Sequence, residues 1–83
     1  MEGTLERVRN IVANQLNIKP EEIGDDVPLT ELGLDSLAAL EVAFELEEAF
    51  NISIPDERIP EFTTLRAACN AIEAVRLGQP SAP

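Results

Sequence analysis

The stretch Asp35-Ser36-Leu37-Ala38-Ala39-Leu40-Glu41-Val42-Ala43-Phe44-Glu45-Leu46-Glu47-Glu48-Ala49-Phe50-Asn51 reads as one helix, and its reading decides the fold. Asp35 and Ser36 are residue types favoured at a helix start, because a side-chain oxygen there accepts one of the free N–H groups of the first turn. Asn51 suits the left-handed position that ends a helix. Glu41, Glu45, Glu47 and Glu48 give the segment a strongly acidic outer surface with no basic residue to relieve it. Like charges four residues apart cost a few tenths of a kcal/mol each, roughly, so stability alone does not account for them. The apolar residues predict an inward stripe of Leu37, Leu40 and Phe44, joined by part of the set Ala43, Leu46 and Phe50.

A first helix is predicted from Leu5 to Leu16. Leu5, Val8, Ile11, Val12 and Leu16 share one face, with Thr4 as its cap. Residues 17–34 are long for a helix connection. Ile18, Ile23, Val27, Leu29, Leu32 and Leu34 punctuate them, however, so they read as a structured loop packed on the core. Pro20-Glu21-Glu22-Ile23 predicts a short helical turn within it, and Asp25, Asp26 and Pro28 predict turns. Beyond Asn51, Ile52-Ser53-Ile54 is a brief extended piece. A short third helix follows from Pro55 to Arg58 or Ile59, stopped by Pro60. A last helix is expected from Thr63 or Thr64 to Leu77, with the stripe Leu65, Ala68, Cys69, Ile72 and Val75. Gly78 stops it, and 79–83 read as a frayed tail. No β pattern and no repeat appears. The chain is expected to form one all-α domain over 1–83, a small up-down four-helix bundle of three longer helices and a short third one.

Composition narrows the chemistry. The chain has 83 residues, 16 carboxylates, six basic side chains, no histidine, one cysteine and a formal net charge of −10. One Cys and no His exclude a Cys/His zinc site, a histidine general base and an internal disulfide. Cys69 reads as a buried, inert thiol. No apolar run is long enough for a membrane span, and no basic start leads into an apolar signal segment. Nucleic acid would meet net repulsion. Residues 25–61 hold eleven carboxylates and one base, Arg58, for a net of −10, while the rest of the chain balances to zero. The whole excess therefore sits around the Asp35–Phe50 helix, where a basic partner surface is its natural complement.

Ser36 is the residue of interest. Capping is its ordinary role, but Asp35 suffices for that, and neither is followed three residues later by the Glu or Gln of a capping box. Ser36 would then project from the first turn, where free N–H groups and the helix dipole favour an attached phosphate. Nucleophilic catalysis lacks a histidine base, and no spacing brings Lys19, the sole lysine, to Ser36. The carboxylates lack the spacing of a calcium-binding loop, so a solvated or partner-docking acidic surface is the reading for them.

Leu32-Gly33-Leu34-Asp35-Ser36-Leu37 closely resembles the attachment motif of the acyl carrier protein family, the phosphopantetheine-dependent carriers, in which Asp-Ser-Leu follows Leu-Gly-x. The likeness continues through Glu41, Leu46-Glu47-Glu48-x-Phe50, Ile52-x-Ile54-Pro55-Asp56-Glu57 and Phe62-Thr63-Thr64-Leu65, over roughly residues 5–76. The resemblance implies that Ser36 receives 4′-phosphopantetheine from coenzyme A through a phosphopantetheinyl transferase, with Asp35 as flanking recognition residue. The chain would carry acyl groups as thioesters and catalyse nothing. Leu37, Glu41, Val42, Glu47, Glu48, Asp56 and Glu57 would meet partners: acyltransferase, ketosynthase and tailoring enzymes with basic docking surfaces. Phe44, Leu46, Ile54, Ile59, Ala68 and Ile72 would shelter the cargo. A cytoplasmic monomer is implied, with no metal. Three departures stand out: Leu40-Glu41-Val42 where many members read Val-Glu-Leu, and, relative to housekeeping fatty-acid carriers, Leu34 in place of Ala and Pro60 in place of a longer acidic run. They lean toward polyketide or related specialised biosynthesis. The alternatives are a fatty-acid carrier, an aminoacyl or peptidyl carrier, and an unmodified acidic helical adaptor.

Overall fold

The computed structural model describes residues 3–77, so the expected stop at Gly78 and the tail at 79–83 lie outside the described residues. Three α-helices carry the architecture: α1 (Thr4–Leu16), α2 (Ser36–Phe50) and α3 (Leu65–Arg76). Three 3₁₀ turns fill the connections: Pro20–Glu22, Leu29–Leu32 and Asp56–Glu61. Among the described residues there is no strand. The expected all-α bundle is present, with its short third helix realised as the 3₁₀ turn Asp56–Glu61.

Helix ends follow local chemistry. Asp35 caps α2, its carboxylate accepting from the Ala38 N–H at 2.8 Å. Thr64 caps α3 in the same way, accepting from Ala67 N–H at 3.0 Å. Asn17 and Asn51 end α1 and α2 at φ 64° and 57°, the left-handed region that Asn tolerates. Thr4 does not cap α1. Gly3 holds that position with no side-chain bond, and the Thr4 hydroxyl instead donates to Glu73 Oε2 at 2.6 Å and accepts from Arg76 Nη1 at 3.2 Å. The threonine joins the first helix to the last.

The core is built from Val8, Val12 and Ala13 of α1, Val42, Ala43 and Leu46 of α2, and Leu65, Ala68, Ala71 and Ile72 of α3. Ile23, Leu29 and Leu34 from the long connection complete it, with Ile54 and Phe62 from the second connection. The inward stripe expected for α2 is corrected. Leu37 is 65% and Phe44 56% exposed, while Val42, Ala43 and Leu46 are buried. α2 is apolar almost all round, so apolar spacing alone does not orient it. Leu37 and Phe44, seven residues apart, lie on the same strip as Glu41, Glu45 and Glu48. Three carboxylates cannot be buried unpaired, so they turn the whole strip outward and take both apolar side chains with them.

The long connection is held from both sides. Arg9 of α1, its side chain 15% exposed, donates to the Ile23 carbonyl at 2.6 Å and to Asp25 Oδ1 at 2.7 Å. Arg66 of α3 donates to Asp26 Oδ1 at 2.8 Å. Its backbone N–H donates to the Asp25 carbonyl at 3.0 Å, so the loop satisfies a free donor of the first turn of α3. The turn Leu29–Leu32, which no sequence pattern announced, ends at Gly33 with φ 105°, a conformation that a side chain would strain.

The second connection, residues 51–64, is leaner. Pro60 does not stop its turn but lies inside it. Arg58 N–H donates to the Pro55 carbonyl and Phe62 N–H to the Ile59 carbonyl, so two short turns meet at Pro60, where no donor is needed.

Candidate functional site

Ser36 is the first residue of α2 and is exposed. Because Asp35 accepts the Ala38 N–H, the Ser36 hydroxyl is not needed for capping. It therefore stands at the positive end of a 15-residue helix, where free N–H groups favour a negative ligand.

A groove of ≈ 460 Å³ opens beside it. Asp35, Ser36 and Ala39 form its floor. Thr30 and Leu34 form one wall, and Ile59, Pro60, Phe62 and Thr63 the other. The two walls come from the two connections and are tied together at the back, where Leu29 N–H donates to the Thr63 carbonyl at 2.8 Å. A phosphate-bearing arm with an apolar cargo fits this set: a free hydroxyl on a dipole end, next to a groove with an apolar lining.

The other face of α2 carries a second groove of ≈ 360 Å³, lined by Gln15, Glu41, Phe44, Glu45 and Glu48. Gln15 Nε2 donates to the Glu41 carboxylate. Leu37, Glu41 and Glu48, three of the expected partner residues, are exposed on this strip, and Asp56 and Glu57 are exposed in the third 3₁₀ turn. Two expected partner residues are placed otherwise. Val42 is 1% exposed and offers a partner nothing to touch. Glu47 is half-buried, and its Oε2 accepts from the Ile54 N–H at 2.7 Å.

The expected shelter also divides. Leu46, Ile54, Ala68 and Ile72 are buried within the packed core, and of the six only Ile59 lines the groove beside Ser36. Phe44 is on the acidic outer face, where it lines the second groove and not the one beside Ser36. Sequence reasoning missed Thr30, Leu34, Ala39 and Phe62 as lining residues. Leu34 and Phe62 carried a signal, since each is an apolar anchor next to the loop-to-helix junctions at Asp35 and Thr64.

Titration behaviour around the site is set by the tethers. The Arg66 guanidinium, hydrogen-bonded to Asp26, holds that carboxyl below the ordinary carboxylate range, and Arg66 is pushed up in turn. Arg9 is likewise raised, first by its bond to Asp25. Cys69 in α3 is half-buried rather than buried. Burial pushes its thiol up, Glu73 adds to this, and Arg66 opposes it. Among the described residues no group of three or more His, Cys, Asp or Glu is arranged to hold a metal ion, and no helix is long and apolar enough to cross a membrane.

Loop, helix cap and groove together present the exposed Ser36 hydroxyl beside an apolar cleft. Residues 6–72 match the family model described as phosphopantetheine attachment site, and the chain belongs to this family of phosphopantetheine-dependent carrier proteins. It is a non-catalytic carrier of the acyl carrier type. Solved structures agree. A free-standing peptidyl carrier protein from an uncharacterised secondary metabolic pathway of Acinetobacter baumannii is 27% identical, with a TM-score of 0.74 over 84% of this chain and 88% of that one. The oxytetracycline acyl carrier protein is 26% identical, with a TM-score of 0.76 over 100% of this chain and 93% of its own. A mupirocin acyl carrier didomain is 25% identical, with a TM-score of 0.76; the match covers 96% of this chain but 44% of that longer one.

Proposed function

We propose that the chain carries acyl intermediates of polyketide-type or related specialised biosynthesis on a 4′-phosphopantetheine arm attached at Ser36. The observation that carries this reading is the division of labour at the start of α2: Asp35 caps, and Ser36 is left exposed. A phosphopantetheinyl transferase joins the Ser36 oxygen to the phosphopantetheinyl group of coenzyme A, releasing the nucleotide part. The bound group supplies a flexible tether ending in a thiol that holds an acyl group as a thioester, at high effective concentration near a docked enzyme.

The chain's own residues do the rest. The first turn of α2 stabilises the phosphodiester charge through its free N–H groups and dipole. Asp35 fixes the backbone that presents Ser36 to the transferase. Leu37, Glu41 and Glu48, with Asp56 and Glu57, meet the basic docking surfaces of acyltransferase, ketosynthase and tailoring enzymes. Exposed charge speeds encounter while leaving the interface weak enough to release, as a cytoplasmic shuttle working as a monomer requires. The polyketide assignment draws on the likeness to the oxytetracycline and mupirocin carriers. The likeness to a peptidyl carrier supports aminoacyl cargo as the second reading.

The test is intact-mass spectrometry after incubation of the apo protein with coenzyme A and a broad-specificity phosphopantetheinyl transferase. One arm adds to wild type and none to Ser36→Ala. If wild type stays unmodified while a control carrier is converted, the reading fails. Loading the modified protein with malonyl or with aminoacyl groups by the matching enzymes then separates the two cargo classes.

A further inference from the structure

The groove beside Ser36 has one wall whose attachment is unusual. Residues 55–62 supply Ile59, Pro60 and Phe62 to it. Within this strap the backbone bonds that flank the 3₁₀ turn are local, from Arg58 to Pro55 and from Phe62 to Ile59, and among the described residues its one ion pair, Arg58 with Glu61 at 3.3 Å, is local as well. Its rear end is fixed where the Thr63 carbonyl accepts the Leu29 N–H. At its front end Ile54 is buried in the core, and its backbone is held by one side chain. Glu47 Oε2 accepts the Ile54 N–H at 2.7 Å, while the Glu47 carbonyl accepts the N–H groups of Asn51 and Ile52. One residue in the last turns of α2 thus receives three of the first four donors after the helix. Glu41, Glu45 and Glu48 face outward; Glu47 is half-buried and turned toward the strap.

We infer that Glu47 is a positioning residue: its carboxylate pins Ile54 and thereby sets where Ile59, Pro60 and Phe62 stand opposite Ser36. It works as a hydrogen-bond acceptor rather than as a docking charge. The inference deepens the proposed function, since it concerns the same groove, but its primary readout does not depend on the arm.

Glu47→Gln keeps an acceptor oxygen and removes the charge; Glu47→Ala removes both. Amide exchange and chemical shifts are measured on the full apo chain, with Glu48→Ala as control. Glu47→Ala raises Ile54 exchange about tenfold, the amount expected for a lost charge-assisted hydrogen bond, and shifts the Ile59 and Phe62 amides. Glu47→Gln and Glu48→Ala leave Ile54 protected. An unchanged Ile54 in Glu47→Ala, or Gln behaving like Ala, overturns the inference. If Glu47→Ala fails to fold, Glu47→Gln decides alone: retained protection supports it and lost protection overturns it. In the transferase assay, Glu47→Gln keeps KM within about twofold of wild type while Glu48→Gln raises it further, as loss of a rim charge does. Equal increases overturn the inference. If no variant is ever modified, the proposed function falls, while the Ile54 result still stands.

Discussion

The two connections that enclose the groove are built on different plans. Residues 17–35 bury Ile23, Leu29 and Leu34 and are tied by arginines of both neighbouring helices, Arg9 from α1 and Arg66 from α3. Residues 51–64 bury Ile54 and Phe62 and hold to the rest at Glu47 and Thr63. The longer connection is therefore the stiffer one. Length matters less than how many apolar anchors and charged tethers a loop carries, because loop-closure entropy grows only slowly with length. A groove with one stiff and one compliant wall can keep its serine in place while the opposite side adjusts to what lies between.

The largest expected effect is in the anchors. Leu29→Ala, at a site 1% exposed, should cost about 2–4 kcal/mol in urea denaturation. Ile59→Ala, at a half-buried site in the strap, should cost about 1 kcal/mol. Equal losses would break the contrast between the walls. Next come the tethers. Arg9→Ala leaves the Ile23 carbonyl without its donor, at about 1–2 kcal/mol. The accompanying rise in amide exchange should be confined to residues 18–34; spread into 54–62 would mean that the walls move as one.

The smallest effect is electrostatic and sharpens the contrast through pH. Asp26 titrates lower in the folded chain than in the unfolded one because Arg66 donates to it. Its contribution is thus present above the unfolded value of about 3.9 and lost as pH falls through the folded value. Exchange in residues 25–34 should rise below about pH 4, and Arg66→Gln should return the Asp26 titration to the ordinary range and remove that step. The same Asp26 titration in both proteins would show that the tether is absent in solution.

The sequence was most legible where a single residue does a local job. Asp35, Thr64 and Asn51 mark helix ends because caps act within three or four residues. It was least legible where partners are distant. Arg66 and Asp26 are 40 residues apart, Arg9 and Ile23 14 apart, and no periodicity links them. The facing of α2 lay between these cases. Its apolar residues were ambiguous, and the spacing of Glu41, Glu45 and Glu48 was the informative signal for Leu37 and Phe44. Ser36 stood out through its neighbours, since Asp35 leaves it free; the groove lining did not, because it is assembled from three separate segments.

Cys69 is half-buried, and its thiol is pushed up by burial and by Glu73. At neutral pH it is therefore depleted in thiolate, the form that attacks electrophiles and exchanges thioesters. On the proposed carrier this favours chemoselectivity: an alkylating reagent would meet the thiol of the arm more readily than that of Cys69.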